Sequence, residues 1–71
     1  MKTKPKRGTL EVERLRAIKD RDQATNEQLA HEIGVTAVTV YRWLVGQRIP
    51  APLALRALRA FLARYDRAAE K

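Results

Sequence analysis

Apolar positions along this chain recur at helical spacing in four segments, and no stretch alternates in the manner of a strand or carries a hairpin turn. The first segment predicts a helix over residues 10–21, with Leu15 and Ile18 on its inward face and Val12 beside them. Thr9 is placed to cap it, and Glu11 and Glu13 fall near the positive end of its dipole. Asp22-Gln23-Ala24 lead to a second helix opened by Thr25 and Gln28, which have the spacing of a reciprocal cap. Leu29, Ala30 and Ile33 form its buried side, and Gly34 ends it.

Thr36 caps a third helix only two residues beyond that glycine. Two short helices joined so tightly must cross steeply, which is a helix-turn-helix arrangement. On a helical wheel Val40 and Trp43 point inward with Leu44 near them, while Val38, Tyr41, Arg42 and Val45 point outward. After Gly46 the run Ile49-Pro50-Ala51-Pro52 breaks the chain. A long fourth helix then covers residues 52–69, with Pro52 suited to its first turn. Leu55, Leu58, Phe61, Leu62 and Tyr65 make one stripe, with Ala54 at its margin; Arg56, Arg59, Arg64 and Arg67 lie on the other side.

The expected architecture is therefore all-α, a compact four-helix domain over residues 9–71. Residues 1–8, MKTKPKRG, lack apolar periodicity and read as a flexible basic arm. At 71 residues the core is small, and with no Cys it has no disulfide to support it. His31 alone makes no metal site and reads as a solvent-facing helix residue. Asp20, Asp22, Glu27 and Glu32 form no catalytic pair, and no phosphate-cradling glycine loop or nucleophile–base grouping occurs. No enzyme, cofactor or small-molecule substrate is expected. No apolar run approaches the roughly 20 residues of a membrane span. The expectation is a cytoplasmic protein.

Charge adds direction. The net charge is +7, from 15 basic and 8 acidic residues. Acids and bases balance over residues 9–50, so the excess sits at the two ends: Lys2, Lys4, Lys6 and Arg7, then Arg56, Arg59, Arg64, Arg67 and Lys71. A polyanion is the natural partner, because neutralising phosphates releases condensed counterions. The outward valines, Tyr41 and Arg42 of the third helix suit a major groove, where Val meets a thymine methyl and Arg a guanine edge or a phosphate. The wheel alone leaves a partner surface or incidental exposure equally open.

The stretch TNEQLAHEIGVTAVTVYRWLVGQRIP resembles the helix-turn-helix of the Cro/CI-like repressors, the XRE family. The matching positions are Thr25, Leu29-Ala30, Gly34-Val35, Thr39-Val40, Arg42-Trp43, Gly46 and Pro50, and the likeness extends loosely over residues 10–65. It implies a lambda-repressor-like fold, in which some members divide the last helix into a fourth and a fifth. It further implies that Thr36, Ala37, Val38, Tyr41 and Arg42 meet bases or nearby backbone. Thr25, Asn26, Gln28, Thr39, Gln47 and Arg48 would then lie against the DNA backbone, where the arm's Lys4, Lys6 and Arg7 add contacts. Two positions depart from the family pattern: Asn26 replaces a Gln that helps orient the recognition helix, and Leu44 replaces a Glu. The implied function is a sequence-specific regulator of double-stranded DNA, a repressor or autoregulator that occludes its operator as a homodimer. Part of the fourth helix's stripe is then expected to face the second copy. Two alternatives stand beside it. One is an excisionase- or MerR-like module, which TVYRW and RIPA resemble, although the Trp–Gly–Pro spacing here is the repressor one. The other is a protein-interaction adaptor on the same scaffold.

Overall fold

A computed structural model describes residues 8–69, which form α1 (Thr9–Asp22), α2 (Asn26–Ile33), α3 (Ala37–Leu44) and α4 (Pro52–Ala69). No strand occurs among the described residues, and α4 runs unbroken. Lys4, Lys6 and Arg7 lie outside the described residues.

Local chemistry sets the ends of the middle helices. The Thr25 hydroxyl accepts the Gln28 N–H at 3.0 Å, and the Gln28 side-chain oxygen accepts the Thr25 N–H at 2.9 Å. Thr36 caps α3 by accepting the Thr39 N–H at 3.2 Å. Gly34 ends α2 at φ 97°, a left-handed conformation that side chains resist. After α3, Gly46 donates to the Trp43 carbonyl at 3.2 Å and Gln47 to the Arg42 carbonyl at 2.9 Å, which satisfies two of the last carbonyls of the helix.

The ends of α1 depart from expectation. Its N-cap is Gly8 rather than Thr9, at φ 79° and without a side-chain cap, and Thr9 is the first helical residue. The cause is tertiary. Gly8 is buried, and a Cβ at this position would stand 2.9 Å from Pro50 Cδ and 3.3 Å from Leu55 Cδ1. The backbone of residue 8 thus docks where α4 begins, in a space that admits no side chain. At the other end Gln23 takes the left-handed conformation at φ 54° without being a glycine.

The core gathers one face from every helix: Val12, Leu15 and Ile18; Leu29, Ala30 and Ile33; Val40 and Trp43; Leu58, Phe61 and Leu62. Fully burying each large apolar side chain contributes about 1.5–3 kcal/mol, so these few residues carry most of the favourable free energy. α2 packs on α3, and α4 packs on both α1 and α2. The stripe of α4 is consumed in this way: Leu55, Leu58, Phe61 and Leu62 are all buried within the monomer. Tyr65, at the end of the stripe, stays half-buried and lines a cleft with Ile18, Leu29 and Phe61.

Polar bonds lock α4 to its neighbours. Arg59 donates to Glu11 at 3.0 Å, and this bond is the main reason the Glu11 carboxyl lies below its ordinary pKa. Arg14 pairs with Asp66, and Arg64 donates to the Glu32 carbonyl at 2.9 Å. The Tyr65 hydroxyl donates to Asp22 at 3.0 Å; desolvation first, and then this bond, raises the phenol's pKa. Arg59 and Arg64 are thus more than a solvated charged face.

Candidate nucleic-acid interface

One side of α3 is fixed and the other is open. Val40 is 0% exposed and Trp43 3%, so both anchor the helix in the core. On the outer side Val38 is 56% exposed, Tyr41 50% and Val45 49%, with Arg42 exposed beside them. A core valine and an outer valine differ only by their phase on the helix. The turn through Gly34 and Val35, together with the Thr36 cap, sets that phase.

The candidate contact residues singled out in the sequence within the described part of the chain are all exposed or half-buried. Thr36 is exposed, while Ala37 and Thr39 are half-buried at the helix start. Thr25 and Gln28 are exposed at the start of α2, with the Gln28 carbonyl oxygen already engaged in the cap. Asn26 is half-buried, and its side-chain oxygen is buried without a hydrogen-bond partner among the described residues. Its carboxamide is thus drawn partly into the fold. Gln47 and Arg48 are exposed just past α3. Arg42 and Arg48, with Thr39, Trp43 and Ile49, line a cleft of about 200 Å³ between α3 and the start of α4. Two guanidinium groups on one small cleft suit an anion such as a phosphate.

One further residue positions α3, through a contact that no local pattern reveals. Arg16, on α1, donates to the Leu44 carbonyl at 2.5 Å and pairs with Glu13 at 3.3 Å. A cation at the C-terminus of a helix is favourable against the dipole and satisfies a free carbonyl. Leu44 itself is half-buried and packs against the core, so the departure from Glu reflects different packing. The Glu13–Arg16 pair is legible at i,i+3, but the contact with Leu44 spans 28 positions. Arg16→Ala is expected to lower stability by about 1 kcal/mol, less than a buried charged hydrogen bond because the side chain is partly exposed. It should also weaken DNA affinity while leaving the slope of affinity against salt unchanged. Thermal melts and titrations at several salt concentrations check this; a slope reduced by about one unit would instead place Arg16 on a phosphate.

No group of three or more His, Cys, Asp or Glu among the described residues could hold a metal ion, and no described helix is long and apolar enough to cross a membrane. The described chain after Pro50 forms the helix Pro52–Ala69, so no wing strands of an excisionase- or MerR-like module follow the helix pair among the described residues.

Two short capped helices in tight succession, the second anchored by Val40 and Trp43 and open on its far side, define a helix-turn-helix domain. A family model described as Helix-turn-helix matches residues 13–65, most of the chain. The chain belongs to that family: it is a Cro/CI-like, XRE-type helix-turn-helix regulator that binds DNA. The family is one of regulators and not of enzymes. Neither the curated proteins nor the solved structures contain a significant match to the chain.

Proposed function

We propose that the protein is a repressor or autoregulator that binds a defined operator as a homodimer and acts by occluding it. The observation that carries this reading is the open face of α3, apolar at Val38, Tyr41 and Val45 and flanked by Arg42 and Arg48. A helix of this diameter fits the major groove, and its first turns meet base edges. Thr36, Ala37, Val38, Tyr41 and Arg42 then face the bases. Thr25, Asn26, Gln28, Thr39, Gln47 and Arg48 face the backbone, where the amides at the start of α2 favour an anion. Lys4, Lys6 and Arg7 add phosphate contacts from the arm.

Selection of bound duplexes from a random pool, followed by footprinting and titration, tests the reading. One motif should be enriched as two inverted half-sites about 34 Å apart, the spacing a two-fold dimer demands. Binding should weaken steeply with salt. Arg42→Ala should cost about 1–3 kcal/mol and relax preference at one base position if it reads a base. Uniform weakening with an unchanged preference would move Arg42 to the phosphates. Equal affinity for all duplexes at near-physiological salt would overturn the operator reading, and enrichment of a lone half-site would overturn the homodimer.

A further inference from the structure

Resting on that placement of α3, we infer that the recognition helix reads its operator chiefly through the 5-methyl groups of adjacent thymines. The argument begins with what the outer face lacks. From Thr36 to Val45 the sequence is TAVTVYRWLV, with no Asn, Gln, Asp, Glu, Lys or Ser. These are the side chains, Arg apart, that most often read base edges by hydrogen bonds.

Thr36 and Thr39 do not fill the gap. Their hydroxyl oxygens lie 2.8 Å apart and share one hydrogen bond, and the Thr36 oxygen also accepts the Thr39 N–H. These contacts commit both oxygens to the helix start and leave one hydroxyl hydrogen for a partner. Arg42 lines the cleft it shares with Arg48 and Ile49, beside the loop that follows the helix. Besides that single hydroxyl hydrogen and the Tyr41 phenol, what the outer face offers here is apolar: Ala37, Val38 and the ring of Tyr41.

In the major groove the apolar feature of a base pair is the thymine methyl. Val38 and Tyr41 share a face at i,i+3, about 4.5 Å apart along the axis. Successive bases on one strand are stacked roughly 3.4 Å apart, so two side chains this close on one face reach neighbouring base pairs when the helix lies in the groove. Each side chain can therefore cover the methyl of a neighbouring thymine and exclude water from it. Burying one methyl-sized group is worth about fourfold in an equilibrium constant.

The test uses the duplex selected above, resynthesised with deoxyuridine replacing each thymidine in turn. This removes one methyl and leaves the base pairing intact. Kd should rise about fourfold at two neighbouring positions of each half-site and stay level elsewhere. Replacing a contacted T·A pair by C·G should weaken binding, and 5-methylcytosine in place of that cytosine should recover part of the loss. Val38→Ala, at an exposed position that leaves the core intact, should abolish the uridine effect at one position and preserve it at the other. A selected duplex that binds equally well with uridine at every position overturns the methyl reading and leaves the operator reading standing. Failure to select any duplex removes both.

Discussion

Trp43→Ala is expected to leave most of the chain unfolded at physiological temperature. Trp43 is 3% exposed and belongs to the core while standing on the recognition helix. Removing a buried Trp side chain costs about 3–5 kcal/mol through lost transfer energy and the cavity left behind. A domain of this length has only roughly 4–10 kcal/mol in total. The melting temperature should fall by roughly 15–35 °C in far-UV circular dichroism, at about 4–8 °C per kcal/mol. Trp43→Phe should keep most of the packing and cost about 1–2 kcal/mol. DNA binding should be lost with the fold in the first variant and retained in the second. A fall of only a few degrees for Trp43→Ala would show that α3 is held mainly by its caps and by Arg16.

A loss of about 2–5 kcal/mol is expected from a single methyl group at Gly8. Two costs combine in Gly8→Ala. The left-handed conformation costs a side-chain-bearing residue about 1–2 kcal/mol. The new Cβ would also stand 2.9 Å from Pro50 Cδ and 3.0 Å from Pro50 Cγ, inside the packed junction of α1 and α4. Overpacking of that kind adds about 1–3 kcal/mol. Gly34→Ala separates the two terms, because Gly34 has φ 97° but nothing within 4 Å of its Cβ position. Only the conformational cost of about 1–2 kcal/mol should appear there. Denaturant titrations followed by the fluorescence of Trp43, the one tryptophan in the chain, measure both variants. Equal losses would mean that the Pro50 ring yields and that the junction is loosely packed.

The contrast between Gly8 and Gly34 marks where local reading of the chain ends. Gly34 follows an apolar-periodic segment and precedes a capping threonine, so its role is visible within a few residues of itself. Gly8 follows a basic, unpatterned stretch, and its role depends on Pro50 and Leu55, far along the chain. Arg16 behaves likewise: its partner is a main-chain carbonyl, which no residue type announces. The α4 stripe shows the same limit in another form. Its existence was plain from spacing, but whether it met this core or another copy was a question of available partners.

Among the interface residues, outward Val38, Tyr41 and Val45 followed from helical phase alone. The mutual engagement of Thr36 and Thr39, which commits one of their two hydroxyl hydrogens at the helix start, followed only from their atoms being 2.8 Å apart.

Read alone, the chain specified four helices, the caps of the middle two, the glycine turns and the division of each helix into an inner and an outer side. All of these depend on interactions within one or two helical turns, which residue type and spacing encode directly. Tertiary packing decided that Gly8 replaces Thr9 as the cap of α1, that Leu55, Leu58, Phe61 and Leu62 of the α4 stripe enter this core, and that Arg16 steadies the recognition helix. Those outcomes depend on which distant surfaces meet, and the energy of such meetings is set by shape and burial over the whole core.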